Sequence, residues 1–385
     1  MGGKITPILL PKWGMDMEEG RIGEWLVSEG DRVTAGEDIL EIESEKVTNV
    51  LETSGDGVLK RKLVNAGEIH PVGMLLGVVA DEDVSGKELS DFIARFQPDI
   101  ATVQSSDAPA SRRTDEVIEI NGQRLHYTSL GEDDLTVVLV HGFGGSLSSW
   151  GGLQEALAVS YRVIGVELPG HGSSSKQVSD AGSKDFAKLL LSFLDKLNIE
   201  NAHLVGHSLG GTIITQLASL APSRARSLSL ISNYGTGTEV DIEYIEEFVT
   251  ASRRKNVKAV LKRLFLDSSF VNSEMVENML KQKRLEGAGQ ALRMIADKIR
   301  EEQPAQAIIH LPAVPTQIII GRKDTIITAD ETLLANVDNL SIIDDAGHMP
   351  QLEKAAQTVR LVKEFLKTQR EDPNADLAGR DTNGL

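Results

Sequence analysis

Between residues 137 and 344, short apolar runs alternate with helical stretches, and this alternation constrains the fold more than any other feature of the chain. The runs are VVLV (137–140), VIGVEL (163–168), HLVGHS (203–208), LSLIS (228–232), QIIIG (317–321) and LSIID (340–344). Helical patterns occupy 182–197, 209–220 and 351–368. Runs that are apolar throughout, rather than at every second residue, belong to strands buried on both faces. The expected architecture is therefore a mainly parallel sheet covered by helices on each side. The stretch 234–305 breaks the pattern. It reads as helix-rich and charged, with no strand, and is expected to form a helical cap inserted into an α/β domain spanning 115–370.

The chain before this domain has another texture. Residues 4–82 consist of short strand-like runs broken by Gly and Asp/Glu turns, among them DILEIES and GMLLGVVAD. Closely spaced strands with almost no helical period predict a small all-β barrel or sandwich over 1–82. Residues 83–114 read as a linker. Within it Leu89, Phe92, Ile93 and Phe96 fall at the i, i+3, i+4, i+7 spacing of a short amphipathic helix. The polar, aperiodic remainder has the composition of a flexible tether, and a coil of ~30 residues spans about 30 Å. The last residues, 371–385, are expected to be disordered.

Composition narrows the function. A net charge of −17 over 385 residues argues against binding to a nucleic-acid backbone. Residues 1–82 alone hold 8 Lys/Arg against 16 Asp/Glu. The chain has no cysteine, which excludes disulfides, thiolate metal sites and a cysteine nucleophile. The histidines are scattered without ligand spacing, so no metal is expected. The N-terminal apolar run is too short for a signal peptide, and no stretch approaches the roughly 18 apolar residues of a membrane span. The expectation is a soluble cytoplasmic protein with no membrane partner.

In the first domain Lys46 lies in EIESEKVTNVLE, between two strand-like runs, where a hairpin turn would present it. A swinging arm needs that placement, because its lysine must reach a modifying ligase and then several active sites. LLPKWGMDMEEGRIGEWLVSEGDRV together with DILEIESEKV resembles the lipoyl domain of the acyltransferase components of 2-oxoacid dehydrogenase complexes. That family usually carries Asp-Lys-Ala at the turn, where this chain has Glu45-Lys46-Val47. Biotin carriers share the fold but bear Met-Lys-Met, which is absent here. The resemblance implies lipoate carried covalently on Lys46. Apart from its surroundings, a Glu-Lys pair reads only as solvated turn residues.

In the second domain, LVGHSLGG places Ser208 between a strand and a helix, within Gly206-His207-Ser208-Leu209-Gly210. A serine at such a sharp turn needs small flanking residues, and it needs a base and an oriented acid to become nucleophilic. Asp324 follows the run QIIIG and His348 follows LSIID, in the chain order nucleophile, acid, histidine. Asp344 and Asp345 compete for the acid role but sit close to His348 at the wrong strand. The oxyanion hole is expected from the backbone N–H groups of Leu209 and Phe143. His141, His171 and His207 read as loop and structural histidines. Residues 115–368 resemble the α/β-hydrolase superfamily, with HGFGG (141–145), ELPGHGSS (167–174), GHSLGG and AGHMP in order.

One further cluster stands out. Arg253, Arg254, Lys255, Lys258, Lys262 and Arg263 fall within eleven residues that contain no acid. Three readings stay open: a grip on the phosphates of coenzyme A, attraction of the acidic first domain, or a solvated helix face.

Joined in one chain, the two domains resemble the dihydrolipoamide acetyltransferase components of bacterial acetoin dehydrogenase complexes. The separate His-x-x-x-Asp-Gly acyltransferase domain of related complexes is missing, as is a peripheral-subunit-binding domain between 83 and 114. The resemblance implies acetyl transfer from a dihydrolipoyl arm to coenzyme A in acetoin catabolism. It also implies three partners: a thiamine diphosphate-dependent acetoin-cleaving component, a dihydrolipoamide dehydrogenase and a lipoate ligase. A serine thioesterase or esterase that uses its lipoyl domain for recruitment is the competing reading, and a non-catalytic carrier is the third.

Overall fold

The computed structural model describes residues 5–11, 19–43, 48–53, 55–96, 113–178, 181–235, 238–302, 311–329 and 338–370. The chain divides into two units, Met1–Ala108 and Pro109–Leu385. Lys46, the polar tether after residue 96 and the tail 371–385 lie outside the described residues.

The first unit is built from strands β1 (Ile5–Leu9), β2 (Glu19–Trp25), β3 (Arg32–Val33), β4 (Asp38–Glu43), β5 (Thr48–Glu52), β6 (Gly57–Lys62), β7 (Ile69–Pro71) and β8 (Leu75–Ala80). They form two four-stranded antiparallel sheets, ordered β1-β8-β6-β3 and β5-β4-β2-β7. Ile8, Ile22, Ile39, Ile42, Leu59 and Leu76 are buried in one cluster and form the core of the unit. β4 and β5 pair antiparallel with Glu43 opposite Thr48, so only four residues of chain, Lys46 among them, join the paired ends. The helix α1 (Gly86–Phe96) belongs to this unit as well. Leu89 is buried, and Phe92 and Ile93 pack with it against Leu75, Val78 and Ala80 of β8. Leu89, Phe92 and Ile93 of its apolar stripe are therefore covered by their own domain.

The second unit opens with the antiparallel strands β9 (Thr114–Ile120) and β10 (Gln123–Leu130). After them come β11 (Thr136–Val140), α2 (Leu153–Ala158), β12 (Arg162–Val166), α3 (Ser183–Lys196), β13 (Ala202–His207), α4 (Leu209–Leu220) and β14 (Ala225–Ile231). The remaining elements are β15 (Thr238–Val240), α5 (Ile242–Thr250), α6 (Arg254–Lys262), α7 (Ser273–Arg284), α8 (Ala288–Glu302), β16 (Thr316–Gly321), β17 (Ile327–Ala329), β18 (Leu340–Ile343), α9 (Pro350–Glu353) and α10 (Ala355–Arg370).

Eight strands form one sheet in the order β18-β16-β14-β13-β11-β12-β10-β9. Every pair from β18 to β12 is parallel, and the β12-β10-β9 edge is antiparallel. One face is covered by α3 and α4 through Phe186, Phe193, Ile213 and Leu217. The other is covered by α2 and α10 through Leu153, Leu157, Val362 and Phe365. β11 and β13 are buried at every residue, which is why their sequences do not alternate. The stretch 234–305 is not free of strand, as its sequence suggests. β15 lies in it and pairs antiparallel with β17. Three residues are too short to carry a period, and the partner is some ninety residues away, so tertiary pairing alone makes Thr238–Val240 a strand.

Candidate active site

β13 ends at His207, and the chain reverses at Ser208 into α4. Ser208 has φ 52° and ψ −120°, a conformation that costs a non-glycine residue about 1–3 kcal/mol and persists only where its surroundings enforce it. Its N–H donates to the Ile231 carbonyl at 2.9 Å, which ties the turn to β14. The glycines around it are required by contact. A Cβ on Gly206 would lie 2.5 Å from the Gly211 nitrogen, and one on Gly210 would lie 1.9 Å from the Val140 carbonyl oxygen. Backbone cannot rotate out of the way as a side chain can. Gly210→Ala is therefore expected to destabilise the domain by about 3 kcal/mol. On a domain of this size that lowers the melting temperature by about 6–12 °C. Differential scanning calorimetry checks this, and an unchanged transition would mean that the turn is not packed against β11.

Asp324 follows β16 and His348 follows β18. Asp324 Oδ2 lies 2.8 Å from His348 Nδ1, with both side chains buried. The other carboxylate oxygen accepts the N–H groups of Ile326 at 2.8 Å and Ile327 at 2.9 Å. Burial pushes the Asp324 carboxyl up. The charge of His348, its hydrogen bond and the two amides outweigh burial and hold it below the usual carboxylate range. With Nδ1 committed to Asp324, Nε2 is the ring nitrogen left for proton transfer. The His348 backbone is fixed from two sides. Its N–H donates to the Leu264 carbonyl at 3.0 Å, and its carbonyl accepts from His207 Nε2 at 2.8 Å. Asp344 and Asp345 are both exposed, and Asp344 is paired with Arg322 at 2.6 Å.

Ser208, His348 and Phe143 line one cavity of about 280 Å³. Its apolar wall comes largely from the cap, including Tyr244, Phe248, Leu261 and Phe265. The N–H of Leu209 opens α4 and has no carbonyl one turn back to receive it. Phe143 sits in the Gly142–Gly145 loop across the cavity.

Two buried histidines hold that loop. His141 Nδ1 donates to the Gly142 carbonyl at 2.8 Å, and its Nε2 accepts the Leu168 N–H at 3.1 Å. His171 Nδ1 donates to the Pro169 carbonyl at 3.0 Å, and its Nε2 accepts the Gly144 N–H at 3.0 Å. An imidazole that donates at one nitrogen and accepts at the other must be neutral. Burial first, then the neighbouring His141, pushes His171 down to about 3, and burial lowers His141 as well. His207 is held at about 3, again chiefly by burial. The sequence reads them as loop and structural histidines but does not say which groups they bond. The histidines of HGFGG and PGHG were the only signal.

Glu167, just after β12, ties neighbouring loops together. It accepts from the Ser173 N–H at 2.6 Å, the Leu147 N–H at 3.3 Å and His126 Nδ1 at 2.9 Å. The hydrogen bond to Glu167, against burial and with help from Asp115, raises His126 to about 9. A histidine raised on folding contributes stability that is complete below its unfolded value near 6.5 and is lost as pH rises through the folded one. The domain is expected to lose about 2 kcal/mol between pH 6.5 and 9 from this group. Denaturant melts at the two pH values check it. His126→Gln should flatten the slope, and an unaltered slope would remove His126 as its source.

The chain matches the biotin-requiring enzyme family over residues 6–79 and the alpha/beta hydrolase fold family over 136–265. It is 37% identical over 372 residues to the dihydrolipoyllysine-residue acetyltransferase component of the acetoin cleaving system of Pseudomonas putida, covering 94% of this chain and 99% of that one. The chain belongs to this acetyltransferase family. The Cupriavidus necator member is 36% identical, with coverage of 94% and 97%. Among solved structures, a meta-cleavage product hydrolase from Pseudomonas fluorescens IP01 shares the second domain's fold at a TM-score of 0.59. It is 24% identical and covers 66% of this chain and 97% of its own.

Within this acetyltransferase, the basic segment of the cap resolves into an amphipathic helix. Val257, Val260 and Leu261 of α6 are buried, while Arg253, Arg254, Lys255, Lys258 and Lys262 are exposed. Arg254 pairs with Glu277, and Arg263 with Asp241 and Glu247. None of the six basic residues lines the cavity. No described helix is long and apolar enough to cross a membrane.

Proposed function

We propose that the chain moves an acetyl group from a lipoyl arm on Lys46 to the thiol of coenzyme A, through an acyl-enzyme on Ser208. The observation that carries this reading is a cavity lined by Ser208 and by His348, whose ring is paired with the buried Asp324, in a chain that also bears a lipoyl domain. Lys46 falls in the four residues between the paired ends of β4 and β5, the position expected from sequence for a modified lysine. Lipoate bound there supplies a dithiol that carries the acetyl group as a thioester.

The protein's own residues then act in order. Ser208 Oγ gives its proton to His348 Nε2 and attacks the thioester carbonyl. The N–H groups of Leu209 and Phe143 receive the developing oxyanion. Collapse expels the arm's thiol, protonated by His348, and leaves acetyl-Ser208. His348 next takes the proton of the coenzyme A thiol, the thiolate attacks the acetyl carbonyl, and the Ser208 Oγ–acetyl bond breaks as His348 returns the proton to Ser208 Oγ. The acetoin-cleaving thiamine diphosphate component would load the arm, dihydrolipoamide dehydrogenase would reoxidise it, and a lipoate ligase would install it.

Water competes with the thiol at the second step. The apolar cap wall bears on this choice, because a dry cavity favours the bound thiol over bulk water. Supplying acetyl-CoA and dihydrolipoamide, and quantifying acetyl-dihydrolipoamide and acetate separately, tests the reading. Thioester exchange supports transfer, while acetate alone would make the protein a hydrolase. Lys46→Arg cannot be lipoylated. It is expected to abolish turnover in a reconstituted acetoin-oxidising assay while leaving exchange on free dihydrolipoamide within about twofold, since the two reactions share only Ser208 chemistry. Equal loss in both assays would place Lys46 outside the carrier role.

A further inference from the structure

The cap helix α7 presents an unusual face. Val276 and Leu280 enter the core, while Glu274, Asn278, Gln282 and Lys283 line the cavity, beside Met275 and Met279. Glu274, Asn278 and Gln282 are four residues apart on one helical face, so polar groups on consecutive turns line a site whose cap wall is otherwise largely apolar. Cavities of this kind fix ligand orientation with a few placed polar groups.

Two of these side chains have unused hydrogen-bonding capacity of opposite kind. Gln282 Oε1 is buried and has no partner among the described residues. Gln282 lines the cavity and a glutamine's terminal torsion is broad, so reorienting the amide can offer this oxygen to a ligand there. Lys283 Nζ donates to the carbonyls of Phe248 and, at 3.3 Å, Val249, at the end of α5. It also lies 4.7 Å over the Phe248 ring. An ammonium has three donors, and these carbonyls take two. Phe248 packs in turn on Phe143, with ring centroids 5.3 Å apart, so the lysine sits next to the oxyanion side of the cavity. Burial pushes Lys283 down to about 8, which marks an ammonium with little water around it.

An acceptor and a donor lining one cavity can match the N–H and C=O of an amide. We propose that Gln282 and Lys283 form an amide-binding subsite that seats the amide of a flexible thiol-bearing arm as its sulfur reaches Ser208. This rests on the acyl-transfer reading for the identity of the arm. The amide has two possible sources, the lipoyl arm and the pantetheine of coenzyme A.

The test uses full-length chain carrying Ser208→Ala, which cannot turn over, with ligand-observed NMR titrations. Two pairs of probes are compared: dihydrolipoamide with octane-1,3-dithiol, and pantetheine with 6-mercaptohexan-1-ol. Adding Gln282→Leu is expected to weaken the amide-bearing member of at least one pair by about tenfold, as for one buried neutral hydrogen bond. The amide-free member should change by less than twofold. The pair that responds identifies the source. Equal weakening of both members, or no weakening, would overturn the subsite. Gln282→Met, which keeps the side-chain length, should reproduce the loss, and thermal melts show whether either variant has unfolded. Because Ser208 chemistry is absent from the measurement, failure of acyl transfer and failure of the subsite give separate results.

Discussion

Replacing Ser208 with alanine is expected to lower acetyl exchange between acetyl-CoA and dihydrolipoamide by at least about 10⁴-fold, measured with purified protein. The size follows from what is removed. His348 and the oxyanion donors remain, but they have no nucleophile to activate, and direct attack of one bound thiol on another's thioester needs both arms in a cavity of about 280 Å³ at once. The fold should survive, because the turn is held by the Ser208 N–H to Ile231, not by the hydroxyl. A melting temperature within about 4 °C of wild type is therefore part of the expectation, the hydroxyl being worth at most about 1 kcal/mol. Exchange that survives the substitution would move the chemistry away from Ser208. Acetate release that survives while exchange is lost would show an unrelated hydrolytic background.

Asp324→Asn is expected to reduce kcat for the same exchange by about 10³–10⁴-fold with little effect on KM. The asparagine oxygen can still accept from Ile326 and Ile327, so the loop keeps its shape. The amide nitrogen, however, replaces the oxygen 2.8 Å from His348 Nδ1. A donor there forces Nδ1 to accept, which puts the ring proton on Nε2, the nitrogen that must take the serine proton. The side chain is nearly the same size, and only the tautomer is wrong. Asp324→Ala should lose similar activity and also stability, because two buried amides lose their acceptor, at about 1–3 kcal/mol each. If Asn keeps kcat within about twofold while Ala loses stability, Asp324 serves the fold and not the imidazole.

The buried histidines connect these predictions to the loop that would bind the oxyanion. His171 and His141 are neutral and each bonds in two directions, so the Gly142–Gly145 loop is set before any substrate arrives. Preorganised donors stabilise developing charge without reorganising at the moment of reaction. Phe248 packs on the same loop, since its ring occupies the space a Cβ on Gly144 would need, 2.2 Å away, and Lys283 Nζ lies 4.7 Å over that ring.

Some of this was legible in the residues alone. The α/β architecture follows from runs such as 137–140 and 203–208, because a strand buried on both faces leaves no polar positions and writes that fact into sequence. The resemblance to the lipoyl and hydrolase families rested on local motifs, where glycine and turn residues answer to backbone geometry within a few positions. The order Ser208, Asp324, His348 was readable for the same reason, since each residue lies just past an apolar run.

Other features depend on contacts between distant segments. That Asp324 and not Asp344 meets His348 is decided by strand order, which brings the ends of β16 and β18 together and leaves Asp344 exposed. β15 exists only because β17 pairs with it. Leu89, Phe92 and Ile93 of α1 pack on β8, although the helix's sequence carries the same signal as one awaiting a partner. The inward polar face of α7 was missed because Glu274, Asn278, Gln282 and Lys283 look like any solvated helix surface. Sequence records the polarity of a face, and only packing determines whether that face looks onto water or into a cavity.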